Sequence, residues 1–374
     1  MGVTSIRAKL GILRRCARIL LRRRALGVHV WIPDNPYSDM LYRKFDGALA
    51  PEPMTYVEEL DVFTRLPARG RLLWIHSEAS YSWGRAGDDL AAAHQTYLAS
   101  LERWSSNGGK LVWTVHDTGL HLNDPDPGRI QSIRDKLREA ADCVHVHSEA
   151  AKDVVVRDFG VAAERIVVVP HPSYAPLYSR ADPTGHHPTS LRRLLCFGNV
   201  KAYKNYDGLA AALEALGPGS FERMTIAGKS DGTVVLQAES YRRSVDLDLR
   251  LRFIPDEEVP QLFGDADFMV LPYTESLTSG AAALSMGFGV PVVAPDLGGM
   301  REAVPEANRP LIYAADDPNG LTKALQRARD MTPDEYDRLA AQCRAFGAAI
   351  HPDRISASLI GILSERGILP GHSS

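Results

Sequence analysis

Residues 271–295 read LPYTESLTSGAAALSMGFGVPVVAP, and this stretch decides the fold. An apolar run gives way to a polar loop, then to small residues that suit a helix, then to a glycine stop and the β-branched run Val290 to Ala294. Strand, loop, helix and strand in this order make the repeating unit of a parallel α/β sheet, whose strands are short and almost continuously apolar because helices cover both faces. Thr278, Ser279 and Gly280 stand where the helix opens. Unpaired N–H groups and the positive end of the peptide dipoles suit an anion there, and a glycine has no side chain to obstruct its approach. The other reading of the same residues is a plain Ser-Gly helix cap.

The same rhythm runs outward in both directions. Upstream it predicts strands at Val28 to Ile32, Leu72 to His76, Leu111 to His116, Cys143 to His147 and Ile166 to Val169. It lapses from Tyr174 to Ser190, a stretch rich in Pro, His, Asp and Gly that reads as a linker. It restarts with Leu194 to Phe197, Met224 to Ala227, Leu249 to Phe253, Phe268 to Leu271 and Val290 to Ala294, with a helix expected over Tyr206 to Leu216. Pro318 to Arg329, Pro333 to Phe346 and Ile355 to Arg366 close the chain as amphipathic helices. A length of 374 residues exceeds what one core usually organises. The expected division is an arm over 1–25, an α/β domain over 26–180, a second over 191–345, and a terminal helix over 346–374 that returns to the first domain. Such sheets bind ligands beyond the carboxyl ends of their strands, so the residues just past each strand carry the functional reading.

The formal net charge of −3 says nothing about partners, but its distribution does. Arg7, Lys9, Arg14, Arg15, Arg18, Arg22, Arg23 and Arg24 all precede the first acidic residue, Asp34, while Ile6, Leu10, Leu13, Ala17 and Leu20 recur at spacings of three and four. Residues 6–24 thus predict a helix with an apolar stripe flanked by arginines, which either lies on an anionic membrane surface or packs as an ordinary surface helix. No apolar run reaches the roughly 18–20 residues a membrane span needs. Ile19 to Leu21 is too short for a secretory signal core, and Ile6 stands where a myristoylation signal needs Ser or Thr. Cys16, Cys143, Cys196 and Cys343 are widely spaced and match no metal or redox pattern, and no His, Asp or Glu spacing marks a metal site. A cytoplasmic enzyme without metal, cofactor or nucleic-acid partner is the expectation, placed at the inner face of the cell membrane if the arm binds lipid.

Residues 271–295 resemble the signature region of GT-B nucleotide-sugar glycosyltransferases, particularly bacterial exopolysaccharide and lipid-linked-sugar enzymes of family 4. The resemblance implies an α/β protein of two doubly wound Rossmann-like domains facing a central cleft, with a nucleotide diphosphate sugar, GDP- or UDP-linked, as donor and a glycan or lipid-linked acceptor. Donor phosphates fall to Thr278, Ser279 and Gly280 and to the loop 197–205, FGNVKAYKN, where Gly198, Lys201 and Lys204 match the family's glycine-then-basic pattern. Ammonium groups there would neutralise charge on the leaving diphosphate; a lysine serving only as solvated surface is the alternative. The strand ends at Gly228 and Lys229 and at Phe253, Ile254 and Glu258 resemble the nucleobase and ribose pocket. In the first domain His116 matches the position that contacts the transferred sugar, with Asp117 the nearest carboxylate. Asn35, Tyr37 and His121 fall on the acceptor side. His76, His147 and His171 follow other strands and rank below these. The plain alternative has His116 capping its strand and Asp117 the following helix.

The sequence departs from the family at two points. Asn199 stands where an arginine is frequent, and the two glutamates of the retaining members, with seven residues between them, fall on Ser276 and Leu284, with Glu275 one position off. The departure favours an inverting mechanism, in which Asp117 is the base for the acceptor hydroxyl, over a retaining one built on His116 and Glu275. A nucleotide-sugar 2-epimerase of the same fold and a non-catalytic nucleotide-sugar-binding protein are the rival functions. A dinucleotide oxidoreductase fits poorly, because Gly198 lacks the companion glycines of that fingerprint.

Overall fold

The computed structural model describes residues 6–22, 24–29, 35–82, 85, 87–118, 126–178, 192–230, 232 and 234–369. The chain divides between Val169 and Pro170 and again between Arg354 and Ile355, so its last segment belongs to the same compact unit as its first. Unit 1 holds strands β1 (Leu26–His29), β2 (Pro51–Met54), β3 (Leu72–Ile75), β4 (Lys110–Thr114), β5 (Cys143–Val146) and β6 (Ile166–Val168). All pair in parallel, in the order β2-β1-β3-β4-β5-β6. Unit 2 is a second parallel six-stranded sheet with a different strand order, built from β7 (Arg193–Phe197), β8 (Arg223–Ala227), β9 (Asp246–Arg250), β10 (Phe268–Val270), β11 (Val292–Pro295) and β12 (Ile312–Tyr313) in the order β12-β11-β10-β7-β8-β9. In each sheet the order reverses beside the first strands, which is where such folds present their ligand sites.

Helices of unit 1 are α1 (Ile6–Arg22), α2 (Pro36–Leu41), α3 (Val57–Thr64), α4 (Gly87–Ser106), α5 (Pro127–Ala140) and α6 (Glu149–Phe159). Those of unit 2 are α7 (Ala175–Tyr178), α8 (Tyr206–Leu216), α9 (Ala238–Arg242), α10 (Val259–Gly264), α11 (Gly280–Phe288), α12 (Gly320–Arg329) and α13 (Pro333–Ala349). The last, α14 (Pro352–Glu365), straddles the second division and packs on unit 1. There Ser356 Oγ accepts the N–H of Lys44 at 2.9 Å, and Arg366 Nη1 donates to the carbonyl of Glu164 at 2.7 Å. Leu72–Ile75 and Val292–Pro295 are buried at every position, as strands covered on both faces must be.

Three features differ from the sequence reading. Pro51–Met54 forms a strand that two prolines disguised; it sits at the sheet edge, where a missing N–H does least harm. The strand expected at Leu249 to Phe253 lies three residues earlier, over Asp246–Arg250, an edge strand whose alternating polar side chains hid it. Part of the expected linker, Ala175–Tyr178, is helical. The first expected strand runs Leu26–His29, and residues 30–34 lie outside the described ones.

Candidate active site

In unit 2 the carboxyl ends of β7 and β8 finish in glycines that lie against each other. Gly198 (φ +98°) donates its N–H to the carbonyl of Ala227 at 2.9 Å, and Gly228 has φ +153°. A Cβ on Gly228 would stand 2.2 Å from the Gly198 carbonyl oxygen, so only glycine fits. Lys204 ends a 3₁₀ turn over Ala202–Lys204, and Asn205, itself left-handed at φ +50°, then caps α8 by accepting the N–H of Gly208. This turn folds Lys204 inward. It is 6% exposed, and its ammonium donates to the carbonyl of Phe197 at 3.2 Å and lies 5.8 Å from the centre of the Tyr273 ring. Among the described residues no carboxylate pairs with it, and burial lowers its pKa to about 8, well under the usual lysine value. The N–H of Thr274 donates to the carbonyl of Tyr203 at 2.8 Å, tying the Lys204 loop to the segment that leads into α11.

Ser279 is the N-cap of α11; its hydroxyl accepts the N–H of Ala282 at 3.2 Å. The N–H groups of Gly280 and Ala281 remain at the helix mouth. The space over Gly280 is not open, however. A Cβ there would meet the Tyr174 ring at 2.9 Å and His171 Nε2 at 3.3 Å. The glycine therefore makes room for these rings, a reason the sequence did not offer. Burial holds His171 down at about 4, so it is neutral; its Nδ1–H donates to the carbonyl of Pro172 at 2.8 Å and its Nε2 faces the Tyr174 hydroxyl at 3.4 Å. His171 and Tyr174 thus join Ser279 and Gly280 around the mouth of α11.

Other residues expected to serve the donor are placed less tightly. Thr278 and Glu275 are half-buried on the loop before α11, where Ser276 Oγ donates to the carbonyl of Thr278 at 3.3 Å. Lys201 and Lys229 are exposed, and Phe253 is 71% exposed while Ile254 is buried. The Glu258 carboxylate is engaged by Arg252 Nη2 at 2.6 Å, which lowers its pKa. A carboxylate held in that way is not offered freely to a ribose.

In unit 1 the strand ends carry histidines. His76 and His147 lie one residue past β3 and β5, and His116 two past β4, so the parallel ladder brings all three to one edge. His76 Nδ1 and His116 Nε2 are 3.1 Å apart, and the Tyr42 hydroxyl lies 2.6 Å from His76 Nε2. Burial, then the neighbouring His116, His145 and His29, hold His76 well below the ordinary imidazole range. The Tyr37 ring stands edge-on to His116 at 4.9 Å, to His76 at 5.6 Å and to His147 at 5.6 Å. Behind them the donors can be assigned. His147 Nδ1 and His145 Nε2 reach the same carbonyl, Val169 O, at 3.0 and 3.3 Å, so each of those nitrogens carries a proton. The Tyr37 hydroxyl lies 3.0 Å from His147 Nε2, and the Thr114 hydroxyl 3.1 Å from His145 Nδ1. Thr114 in turn accepts Trp74 Nε1–H at 2.8 Å.

Asp117 follows His116 and is half-buried. Burial pushes the nearby Glu78 carboxyl up, with Arg134 Nε, 3.3 Å away, opposing the shift and Asp117 adding to it. The helix after β4 is capped by Asp126, whose carboxylate accepts the N–H of Gly128 at 2.9 Å, so Asp117 does not serve as that cap. Asn35 is spent on α2, accepting the N–H of Tyr37 at 3.0 Å. His121 lies outside the described residues. The structure brings His76 against His116 and adds Tyr42 and Tyr273, which sequence reasoning did not single out. A histidine directly after an apolar strand was the available signal, but an aromatic residue just past a short helix or a strand reads as core.

Two family models match the chain, "Glycosyltransferase Family 4" over residues 13–172 and "Glycosyl transferases group 1" over residues 192–330. A D-inositol 3-phosphate glycosyltransferase of Paenarthrobacter aurescens (strain TC1) is 26% identical over 338 residues, covering 83% of this chain and 79% of the relative. Among solved structures, Anabaena HepE in complex with UDP-glucose superposes with a TM-score of 0.63 at 16% identity, over 95% of each chain. Sucrose-phosphate synthase from Thermosynechococcus elongatus superposes with a TM-score of 0.60 at 20% identity, over 83% of this chain and 78% of that one.

Proposed function

We propose, from the premise that this chain is a glycosyltransferase of the GT-B type, that it moves a hexose-type sugar from a UDP- or GDP-linked donor to a glycan or polyprenyl-linked acceptor. The setting is exopolysaccharide or cell-envelope glycan synthesis, in the cytoplasm at the inner face of the cell membrane. One observation carries the donor assignment. Among the described residues Lys204 is a buried ammonium with one acceptor, a neutral carbonyl, beside two glycine strand ends and a helix mouth. A buried cation without a counter-ion is costly, and a diphosphate would supply the missing charge.

In this reading unit 2 holds the nucleotide. Lys204 and the N–H groups at the mouth of α11 take the diphosphate, and the exposed Phe253 with the backbone at Gly228 borders the base. Unit 1 supplies His116, with Asp117, to the transferred sugar. Asp117 removes the proton of the acceptor hydroxyl as that oxygen attacks the anomeric carbon. The bond from that carbon to the diphosphate oxygen breaks, and the electron pair leaves on the diphosphate, where Lys204 meets it. Glu275 is the second carboxylate if the sugar is retained. The UDP-glucose in the Anabaena structure favours a uridine donor.

Thermal-shift titration against UDP-, GDP- and ADP-sugars tests the reading. A donor at 100 times its Kd should add about 2.7 kcal/mol to native stability, and the same donor with a lipid-linked acceptor should release nucleoside diphosphate. A chain that none of the three stabilises has no donor site of this kind. Donor binding with a rearranged sugar and no acceptor would point to the epimerase instead.

A further inference from the structure

Helix α1 has two opposed faces. On the inner one Ile19 is fully buried; Arg18 Nε donates to Glu52 Oε1 at 2.7 Å and Arg18 Nη2 to the carbonyl of Pro53 at 3.1 Å. Arg15 Nε pairs with Glu59 Oε1 at 2.6 Å, and its guanidinium lies over the Tyr56 ring at 4.8 Å. Arg24, just past the helix, donates to the carbonyl of Pro51 at 2.6 Å. Glu52 and Glu59 are buried, so these three arginines are spent on fixing the helix to unit 1. On the outer face Leu10, Leu13, Leu20 and Leu21 are 51%, 64%, 49% and 83% exposed, with Ala17 exposed between them. The spacing of three, four and three makes one stripe about 16 Å long, bordered by the exposed Arg14, with Arg22 exposed at the last residue of the helix. A surface helix ordinarily turns its apolar stripe to the core; α1 turns this one outward.

We propose that this face docks unit 1 on an anionic lipid bilayer. Helix α1 lies along the surface, its four leucines enter the boundary between headgroups and acyl chains, and Arg14 and Arg22 meet lipid phosphates. Charge selects the occupant. Residues 6–24 contain no Asp or Glu, so a second copy seated on the same stripe would set basic residue against basic residue, whereas anionic lipid complements a helix of this charge. No helix among the described residues is long and apolar enough to cross a membrane. The inference deepens the lipid-linked-acceptor reading by naming the surface that reaches the lipid. It fails separately from that reading, because nucleotide release with a water-soluble acceptor does not involve α1.

The test is co-sedimentation of the full chain with vesicles of phosphatidylcholine and phosphatidylglycerol (7:3) and of phosphatidylcholine alone. Binding should favour the mixed vesicles, and Leu10→Gln, Leu13→Gln, Leu20→Gln and Leu21→Gln combined should weaken it by about tenfold or more while donor-induced thermal stabilisation is kept. Leu13→Trp should report a blue-shifted emission, quenched by brominated acyl chains, on the mixed vesicles only. Three results would overturn the proposal: equal sedimentation of parent and quadruple variant, an indole at position 13 that stays in water while the protein sediments, or a solution dimer that the glutamines dissolve.

Discussion

At the carboxyl edge of unit 1, His76, His116 and His147 meet ring to ring around Tyr37, whereas at the same edge of unit 2 the strands end in Gly198 and Gly228 beside the buried Lys204. Both sheets are parallel and six-stranded, with the strand order 2-1-3-4-5-6 in unit 1 and 3-2-1-4-5-6 in unit 2 when each is numbered from its own first strand, and the residues that follow the strands differ as well. Rings held by hydrogen bonds to Val169 and Tyr42 give fixed donors and acceptors. Bare backbone beside a lysine gives charge and close approach with little side-chain bulk. The first arrangement suits a sugar, which is read through its hydroxyls; the second suits a diphosphate. Two parallel α/β sheets thereby present two different kinds of strand edge.

The comparison breaks most visibly at Gly228. Alanine there would drive a Cβ to 2.2 Å from the Gly198 carbonyl oxygen at a φ of +153°, and chemical denaturation should show a loss of more than about 4 kcal/mol, confined by hydrogen exchange to unit 2. The control is Gly108→Ala in unit 1, also at positive φ but with nothing within 4 Å, which should cost about 1 kcal/mol. Equal losses would mean that the strand ends of unit 2 are not packed backbone to backbone.

Lys204 sharpens the contrast of charge. Lys204→Met should lower kcat/KM by about 100-fold, roughly 3 kcal/mol of transition-state stabilisation. The parent protein should also show opposed pH trends. Burial lowers the folded-state pKa to about 8, while the unfolded chain keeps its proton up to about 10.4. Between those values the unfolded state binds more protons, so the ligand-free fold gains stability as pH rises through the window. Donor affinity should fall over the same rise, because the ammonium that meets the diphosphate is lost. Lys204→Met should flatten both curves; a donor affinity that stays level above pH 8 would remove Lys204 from the phosphate site.

The parallel sheets were legible because strands buried on both faces spell themselves as apolar runs, and the fold class follows from residues 271–295 alone. The strand over Pro51–Met54 was not, because prolines tolerated only at an edge argue against a strand until the edge is known. Lys204 was legible as a cation after a strand, but its burial depends on a 3₁₀ turn and on Asn205 in the left-handed region, which no spacing announces. On α1 the stripe of leucines could be read from periodicity, but which face met the protein could not. The partners that decide it, Glu52 and Glu59, are 34 and 44 positions from Arg18 and Arg15. The contact of His76 with His116 was hidden for the same reason, since it spans 40 positions.

The smallest expected effect tests whether the ring network positions His116 or merely fills space. His76 stacks on Trp74 at 5.9 Å between ring centres and touches His116 and Tyr42 through its two nitrogens. His76→Phe keeps an aromatic ring on Trp74 and removes both hydrogen bonds, whereas His76→Gln keeps one donor and one acceptor. If the bond between His76 Nδ1 and His116 Nε2 sets the orientation of His116, kcat should fall about tenfold in the phenylalanine variant, near 1.4 kcal/mol, and recover in part with glutamine. Donor Kd should stay level in both, since donor phosphates are assigned to unit 2. A phenylalanine variant that lost stability but kept kcat would reduce His76 to packing, and the contrast between the two strand edges would then rest on Lys204 alone.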